Sequence, residues 1–309
     1  MNTDTPMVSI RCITYNHEPY IRQCLEGFVM QKTNFKFEAI VHDDASTDHT
    51  ADIIREYAAK YPDIIKPIYE TENQYSKHDG SLRRIMDAAC TGKYIALCEG
   101  DDYWIDPLKL QKQVDFLEAN SEYSMCFHKA DTIFWPSGEL SPLYQDLKEK
   151  DYTIDEIAEN WIVPTCSVVY RSIFQNKIPK NKKFIHGDIV LFLTMATHGK
   201  VHCLNDKMSI YRRLSTGATL KIKNLSRKER VLHNLKASES WKETGKHFAV
   251  SERIIRKFVK NFQCSYLCSE LHDWHFKSVF FDNTSISFWE KIKLSPLLLK
   301  SIFKYIFHH

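Results

Sequence analysis

The chain has 309 residues, of which 43% are hydrophobic and 26% are charged, values that are typical of a globular protein and argue against disorder. Its net charge of +3 is unevenly spread: residues 221–309 hold 17 Lys and Arg against 8 Asp and Glu, a net of +9, and the other 220 residues hold 25 against 31, a net of −6. An acidic front part could hold a divalent cation, and a basic back part could face acidic lipid, nucleic acid or a protein partner.

Nine cysteines are scattered along the chain and show no spacing typical of a zinc site. Several lie in apolar runs, as Cys98 does in YIALC, which favours buried free thiols in a reducing compartment. The first ten residues, MNTDTPMVSI, have neither the basic nor the apolar region of a signal peptide, and no run of about 20 apolar residues could span a membrane. We therefore expect a cytoplasmic protein.

Over the first 130 residues, segments with a strand-like pattern of apolar residues alternate with segments with a helix-like pattern. Apolar runs rich in β-formers predict strands at Met7–Ile13, Lys36–Val41, Ile64–Tyr69 and Tyr94–Cys98. A helical period predicts helices at Glu18–Met30, His49–Lys60, Ser81–Cys90 and Pro107–Glu118. This alternation is typical of βαβ units and predicts an α/β fold with a mostly parallel, Rossmann-like sheet flanked by helices.

The second half of the chain shows a less regular pattern. Further strands are predicted at Trp161–Tyr170 and Lys200–Arg213, with a helix at His186–Gly199 between them, whereas Ser121–Pro164 has no clear period. After Leu220 the segments are helical and rich in Lys, Arg and aromatic residues. We therefore expect one α/β domain in residues 1–215 and a basic helical extension in residues 216–309.

Polar residues follow three of the predicted strands at the point where each strand ends. They are Thr14, Tyr15 and Asn16 after the first strand, Asp43 and Asp44 after the second, and Glu99, Gly100, Asp101 and Asp102 after the fourth. Parallel sheets bind ligands at the carboxyl ends of their strands, and clustered carboxylates are costly without a cation or hydrogen-bond donors. Alone, DDASTD could be a helix cap and EGDD a solvated turn. Their joint occurrence favours a nucleotide site with a divalent metal.

These residues lie within longer motifs that resemble the family 2 glycosyltransferases, which are inverting enzymes with the GT-A fold. The resemblance covers about Val8 to Arg213 and rests on VSIRCITYNHEPYI, IVHDDASTDHT, TGKYIALCEGDDYWIDPLKLQKQVDFLE, HGDIVLFLTMATHGK and KMSIYRR. The block through EGDDYW is its most specific part. The resemblance implies a bacterial polysaccharide-type enzyme with a nucleotide-sugar donor and a glycan or lipid-linked acceptor.

The resemblance also implies which residues bind the nucleotide. Thr14, Tyr15 and Asn16 would lie at the base and the ribose. Asp43 and Asp44 would bind the nucleotide-sugar, and Asp44 would accept a hydrogen bond from a uracil N–H. This favours a UDP-sugar, with GDP and dTDP donors as alternatives. An arginine before the GKY strand would help to hold the nucleotide; the spacing to Gly92 favours Arg83, and a shifted helix register would select Arg84 instead.

The EGDD motif would hold the sugar and the metal. Asp101, with Glu99 nearby, would contact the ribose or the donor sugar, and Asp102 would ligate the Mn²⁺ or Mg²⁺ ion that bridges the diphosphate. Many relatives have Asp where this chain has Glu99, and many have a histidine where this chain has Leu214. His198 and His202 lie nearby in the sequence, and their positions at a helix end and in a strand favour structural roles.

Asp188, in HGDIV, matches the family's catalytic base. Glycosyl transfer needs a general base near the acceptor hydroxyl, and a carboxylate at the start of a helix suits that role. Direct displacement then inverts the anomeric carbon without a covalent enzyme intermediate, so no second carboxylate is needed as a nucleophile. The alternative is that Asp188 only caps an apolar helix.

Other functions remain as alternatives. A nucleotidyltransferase-like enzyme would want a glycine-rich phosphate loop, and TYNHEPY contains no glycine. A non-catalytic nucleotide- or glycan-binding module is disfavoured because Asp102 and Asp188 are both present. A nucleic-acid partner is not expected, since no recognised binding motif accompanies the basic tail. The tail segments IIRKFVKNF and KLSPLLLKSIFKYIF suit either a peripheral contact with an anionic membrane, on the inner face of the cell membrane, or a helical cap on the first domain.

Overall fold

The computed structural model describes residues 5–214 and 225–271. The chain divides into two compact units. Among the described residues, the first unit comprises 5–179 and Leu191–Leu214, and the second comprises Lys180–Val190 and 225–271.

A mixed β-sheet is the frame of the first unit. Among the described residues its strands are β1 (Val8–Thr14), β2 (Phe37–Asp43), β3 (Ile65–Tyr69), β4 (Tyr94–Leu97), β5 (Tyr103–Trp104), β6 (Tyr123–Phe134), β7 (Lys150–Asp151), β8 (Val169–Arg171) and β9 (Lys200–Arg213). They lie in the order β3-β2-β1-β4-β8-β6-β9-β5, and β7 pairs with β9.

The first four strands form the parallel part of this sheet. Strand β1 pairs in parallel with β2 and with β4, and β2 pairs in parallel with β3. This pairing brings the carboxyl ends of β1, β2 and β4 to the same edge. Beyond β4 the sheet is mixed, because β8 is antiparallel to β4 and β6 whereas β6 and β9 are parallel to each other.

The helices of the described chain are α1 (Glu18–Val29), α2 (Thr50–Lys60), α3 (Ser81–Ala89), α4 (Lys109–Ala119), α5 (Ile154–Asn160), α6 (Gly187–His198), α7 (Arg227–His247) and α8 (Glu252–Leu271). Local polar groups mark where several of them begin. Asp48 Oδ1 accepts from the Thr50 N–H at 3.0 Å, and Asp106 Oδ1 accepts from the Leu108 N–H at 2.8 Å. Helix α2 ends at Lys60, two residues before Pro62, as proline would require.

The core of the first unit lies between the parallel strands and helices α1, α2 and α4. Val8, Ile10 and Cys12 on one face of β1 and Ser9 on the other are fully buried, as expected for a strand covered on both faces. Trp104 packs edge-on against Phe28, with ring centroids 5.0 Å apart. The cysteines whose surroundings are described are free and buried, as predicted: Cys12, Cys24, Cys90, Cys98, Cys126, Cys166 and Cys203.

The predicted α/β fold is confirmed, and two local predictions differ from the structure. The strand predicted at Trp161–Tyr170 is wrong over most of its length, because Pro164 precedes a 3₁₀ turn at Thr165–Ser167 and only the last two predicted residues enter β8. The region Ser121–Pro164, predicted to be irregular, contains the twelve-residue strand β6.

In the second unit α7 and α8 pack on each other. The rings of Trp241 and Phe258 stack at 4.4 Å, and Gly245 allows a close approach, since a Cβ there would lie 2.4 Å from Cγ1 of Ile255. The segment before α6 packs on α7, where the Ile185 N–H donates to Ser240 Oγ at 3.2 Å. Within the described residues no helix is long and apolar enough to cross a membrane. The predicted tail segment KLSPLLLKSIFKYIF lies outside the described residues.

Candidate active site

The loop after β1 is bound to the loop after β2 by backbone and side-chain hydrogen bonds. Asn16 adopts a left-handed conformation, with φ of 55°, that turns its side chain toward the second loop. Its Oδ1 accepts from the Thr47 N–H at 2.7 Å, and its own N–H donates to Ser46 Oγ at 2.9 Å. The two motifs that the sequence placed at neighbouring strand ends therefore form one structural unit, and Asn16 is one of its organising residues.

Asp43 and Asp44 are buried at the end of β2 and have different partners. Asp43 accepts from Thr14 Oγ1 and from the Ser46 N–H, both at 3.4 Å. Asp44 accepts from the N–H groups of Gln74 at 2.7 Å and Tyr75 at 3.0 Å, and its own N–H donates to the Thr14 carbonyl at 2.9 Å. The backbone thus fixes the Asp44 carboxylate.

Tyr15 follows Thr14, whose carbonyl oxygen accepts the Asp44 N–H, and 43% of its surface is exposed. The exposed Tyr15 ring offers a stacking face and the fixed Asp44 carboxylate offers a hydrogen-bond acceptor, which are two kinds of contact that a nucleobase can use. The loops after β1 and β2, residues 14–17 and 44–49, contain no Lys or Arg. A base bound there would therefore be recognised by its shape and its hydrogen bonds.

The EGDD turn after β4 lies at the same edge of the sheet as the loops after β1 and β2. The Gly100 N–H donates to the Ile13 carbonyl at 3.0 Å, and the Asp102 N–H donates to the Glu99 carbonyl at 3.0 Å. Glu99 is exposed and Asp101 is half-buried, whereas only 1% of Asp102 is accessible. All three predicted strand ends are therefore brought together.

Asp102 occupies the most unusual environment of the turn. Burial, followed by the charge of Asp101, raises the pKa of its carboxyl group well above the ordinary value. Its Oδ1 accepts from the Arg212 N–H at 2.8 Å, and its Oδ2 accepts no hydrogen bond within the described part of the chain. A buried carboxylate oxygen without a donor carries a large desolvation cost, which a bound cation would offset.

A divalent cation fits this carboxylate on chemical grounds. Mg²⁺ and Mn²⁺ prefer oxygen ligands, and Mg²⁺ is commonly held by one or two carboxylates together with substrate phosphates. Among the described residues no group of three His, Cys, Asp or Glu side chains is arranged to hold a metal ion. Asp102 would therefore supply a protein ligand, and the diphosphate and water would have to supply most of the rest.

Two residues of the site were given no role by the sequence. Arg212, at the end of β9, is 3% exposed and contacts the EGDD turn with both its backbone and its guanidinium group. His17, directly after Asn16, is largely buried, and burial lowers its pKa against the opposing influence of Asp101. Its Nδ1 has no hydrogen-bond partner in the described chain. Arg212 lies in the motif KMSIYRR and His17 lies in the motif TYNHEPY. Their positions in these motifs are the sequence feature from which a role in the site could have been predicted.

Arg83 makes structural contacts on α3. It donates to the carbonyl oxygens of Ile178 at 3.0 Å and Pro179 at 3.3 Å, and to Asp87 at 3.3 Å. Arg84 is exposed and donates to the Asp79 carbonyl at 2.8 Å. All the donors described for Arg83 point at protein groups, so a nucleotide contact by either arginine stays a prediction.

Asp188 lies in the first turn of α6 and belongs to the second unit. Its side chain is half-buried. Its charge acts on His186, whose pKa is lowered by burial and raised in part by Asp188. His198 and His202 lie in the first unit, where His198 Nδ1 lies 2.9 Å from the Thr194 carbonyl and His202 Nδ1 lies 2.7 Å from Asp151 Oδ1.

Known relatives resemble this chain over two thirds of its length or more. An uncharacterized protein of Mycobacterium tuberculosis is 41% identical over 211 residues, which are 68% of this chain and 60% of that protein. TuaG of Bacillus subtilis, provisionally named as a teichuronic acid biosynthesis glycosyltransferase, is 25% identical over 264 residues, which are 84% of this chain and 93% of that protein. The chain thus spans 60% of the length of the mycobacterial relative.

Solved structures share the fold at low sequence identity. Staphylococcus aureus TarS, residues 1–349, has a TM-score of 0.58 and 16% identity and covers 90% of this chain and 75% of its own; the same protein is known with UDP and with UDP-GlcNAc. The mannosyltransferase PcManGT of Pyrobaculum calidifontis, in complex with GDP-Man and Mn²⁺, has a TM-score of 0.56 and 14% identity and covers 98% of this chain and 81% of its own. The predicted GT-A glycosyltransferase fold is confirmed by this likeness.

The sequence also matches a family model directly. The model described as Glycosyl transferase family 2 matches residues 9–196, which is more than half of the chain and includes every predicted site residue. The chain belongs to glycosyl transferase family 2.

Proposed function

We propose that this protein is an inverting glycosyltransferase that moves a sugar from a UDP-sugar to a hydroxyl group of a glycan or lipid-linked acceptor. One observation carries the proposal: three polar strand ends are hydrogen-bonded to one another at one edge of the sheet, and the buried Asp102 lies among them. Membership of the family supports sugar transfer as the reaction.

The nucleotide is assigned to the loops after β1 and β2. Thr14, Tyr15 and Asn16 would surround the base and ribose, with the exposed Tyr15 ring available for stacking. Asp44, held by two backbone N–H groups, would accept the N–H of a uracil. Asp43, which accepts from the Ser46 N–H, would bind the nucleotide-sugar beside Asp44. The UDP complexes of TarS support uridine, and the GDP-Man complex of PcManGT keeps guanosine as the alternative.

The diphosphate and the sugar are assigned to the EGDD turn. Asp101 and Glu99 would contact the ribose or the donor sugar, and Asp102 would hold a divalent cation. When bound, such a cation neutralises the charge that develops on the leaving diphosphate. The Mn²⁺ in the PcManGT structure supports a metal in an enzyme of this fold. Arg83 would add a positive charge if its contacts with the 178–179 carbonyls were exchanged for phosphate.

Asp188 is assigned as the general base. A carboxylate near the acceptor hydroxyl would take its proton while the oxygen attacks the anomeric carbon from the side opposite the diphosphate. This direct displacement inverts the anomeric centre and needs no covalent enzyme intermediate. We assign the catalytic role to residues 1–215, which include Asp188, and acceptor handling to residues 216–309.

The acceptor is proposed to belong to a cell-surface polysaccharide. The provisional name of TuaG, which refers to teichuronic acid biosynthesis, supports this class. On α8 the residues Arg253, Arg256, Lys257 and Lys260 are exposed at helical spacing. Such a basic face suits peripheral contact with anionic lipid at the cytoplasmic side of a membrane, where lipid-linked acceptors would be reached.

Calorimetric titration of the purified protein with UDP, GDP and dTDP, each with and without Mn²⁺, tests the proposal. We expect UDP to bind in a Mn²⁺-dependent manner and the other two nucleotides to bind more weakly. Mn²⁺-dependent binding of GDP instead would reassign the donor and keep the reaction. A folded protein that binds none of the three would contradict the glycosyltransferase proposal and favour a non-catalytic glycan-binding module.

A further inference from the structure

Arg212 is a buried cation whose guanidinium group donates its described hydrogen bonds to uncharged acceptors. Its Nη1 donates to the Asp101 carbonyl oxygen at 2.6 Å, and its Nη2 donates to the side-chain amide oxygen of Gln23 on α1. Only 3% of the residue is accessible, and Nε has no hydrogen-bond partner in the described chain. Burying a guanidinium group that has only uncharged hydrogen-bond acceptors costs folding free energy. A functional role of Arg212 would explain why this cost is tolerated.

Aromatic rings enclose the guanidinium group on several sides. Its central carbon lies 4.2 Å from the ring centroid of Tyr103, 5.6 Å from that of Tyr20 and 5.4 Å from that of Trp135. Tyr20 and Trp135 in turn meet edge to face at 5.5 Å. Rings at these distances attract a cation and restrict its rotamers, so the group is held in one place.

The same residue also fixes the carboxylate of the turn. The backbone N–H of Arg212 donates to Asp102 Oδ1 at 2.8 Å, while the guanidinium holds the carbonyl of the preceding Asp101. Arg212 therefore contacts both aspartates of the turn, Asp101 and Asp102, and connects them to α1 through Gln23 and to the loop after β6 through Trp135.

We infer that Arg212 is a positioning residue that holds the Asp101–Asp102 turn in the geometry required to bind the donor diphosphate and its cation. This inference rests on the proposed glycosyltransferase function. Arg212 acts through Asp101 and Asp102 and not on the sugar itself. Residues that orient metal ligands typically change metal affinity or activity by about 10- to 100-fold when they are replaced.

The test compares R212M and R212K with a matched control, R213M. Arg213 is the next residue of β9, and its guanidinium lies over Phe134 at 5.0 Å and donates to Ser141 Oγ at 3.4 Å, away from the acidic turn. Methionine keeps much of the side-chain length and removes every donor, whereas lysine keeps the charge but cannot reach Gln23 and the Asp101 carbonyl together. Thermal melting monitors the fold of each variant.

Two readouts are measured on each protein. The first is hydrogen exchange of a peptide covering 99–104 without any ligand, which reports the Gly100 and Asp102 N–H groups. The second is the Mn²⁺ concentration that gives half-maximal UDP binding. For R212M we expect faster exchange and a Mn²⁺ requirement raised by about 10- to 100-fold. R212K should be intermediate and R213M unchanged.

The outcomes separate this inference from the proposed function. A folded R212M with wild-type exchange and wild-type Mn²⁺ requirement would overturn the positioning role. If R212M does not fold, the same two measurements on R212K test the inference, and wild-type values for both would overturn it. If the wild-type protein binds no nucleotide, the proposed function fails. Hydrogen exchange of the 99–104 peptide would then still show whether Arg212 holds the turn in place.

Discussion

Gly100 lies directly against His17, since a Cβ built on Gly100 would stand 2.9 Å from Nδ1 of His17 and 2.8 Å from Cγ2 of Thr14. This contact is where the EGDD turn meets the loop after β1. Even the smallest side chain at residue 100 would have to displace one of these groups, and both belong to the proposed nucleotide loop. The close approach of the two motifs therefore depends on glycine.

Gly100→Ala should push the turn away from Thr14 and His17. We expect the free energy of unfolding to fall by about 1–3 kcal/mol, the usual cost of overpacking a tight contact, and UDP binding to weaken in parallel. Urea unfolding and calorimetry measure the two effects. Gly187→Ala is the control, because a Cβ at Gly187 meets nothing within 4 Å; its stability should stay within about 0.5 kcal/mol of wild type. Equal effects of the two substitutions would contradict the packing argument.

The parallel part of the fold could be predicted from the sequence because β1, β2 and β4 are largely buried. Such strands read as short apolar runs, and β1 to β4 were located to within about two residues on that signal. Strand β6 gave no such signal, since Ser124, His128 and Thr132 are buried polar residues within it. Their burial depends on partners far along the chain, such as the Met195 carbonyl that Ser124 Oγ contacts at 2.6 Å.

The candidate site was predicted in part for a related reason. Asp43, Asp44 and Asp102 follow strands, and sheet topology alone brings strand ends together. Arg212 could not be assigned in this way, because β9 reaches the turn only through pairing with β5 and β6, which are 70 or more residues earlier in the chain. Long-range pairing of this kind leaves no local pattern in the sequence.

Asp102→Asn should separate stability from donor binding. Asparagine keeps an oxygen that can accept the Arg212 N–H and removes the buried charge. Because burial raises the pKa of Asp102, its ionised form disfavours folding at neutral pH, so the variant should melt at the wild-type temperature or above it. Mn²⁺-dependent UDP binding should be lost, as calorimetry would show.

Asp106→Asn is the matched control for that substitution. Asp106 lies four residues later in the same block, where its Oδ1 accepts from the Leu108 N–H and its Oδ2 pairs with Lys112 at 2.8 Å. Its asparagine variant should bind UDP with Mn²⁺ as wild type does. Metal-dependent binding that persisted in Asp102→Asn would remove Asp102 from the metal site.

Because Lys109 is buried, we expect the free energy of unfolding to increase as the pH rises. The residue is fully buried, its Nζ donates to Gln113 Oε1 at 2.7 Å and lies 4.0 Å from the Trp104 ring centroid, and burial lowers its pKa from 10.5 to about 8. Between these two values the unfolded chain binds more protons than the folded one, so stability increases as the pH rises. Relative to Lys109→Met, the wild-type free energy of unfolding should gain up to about 3 kcal/mol from pH 8 to pH 10.

Lys112→Met serves as the control for the pH series. Hydrogen bonds from Lys112 to Asp106 and Asp206 raise its pKa, so Lys112 stays protonated in both states over most of this range. The difference between wild type and Lys112→Met should therefore be nearly constant in urea unfolding from pH 8 to pH 10. A constant difference for Lys109→Met as well would show that Lys109 titrates normally.

Asp188→Asn should keep donor binding and remove transfer. The asparagine side chain has nearly the same size but cannot take the proton of the acceptor hydroxyl, a step that contributes about 10²- to 10⁴-fold to the rate. Turnover with the UDP-sugar that the wild-type enzyme uses should fall by that factor, while calorimetry should give an unchanged affinity for UDP with Mn²⁺.

The control for this substitution is Asp155→Asn, because Asp155 is also a half-buried acidic residue in the first turn of a helix, α5. If Asp188 only caps α6, both variants should lose a similar, small amount of stability and both should transfer sugar. If Asp188 is the general base, the two should have similar melting temperatures and only Asp155→Asn should transfer sugar at the wild-type rate. Normal transfer by Asp188→Asn would assign the base to another residue.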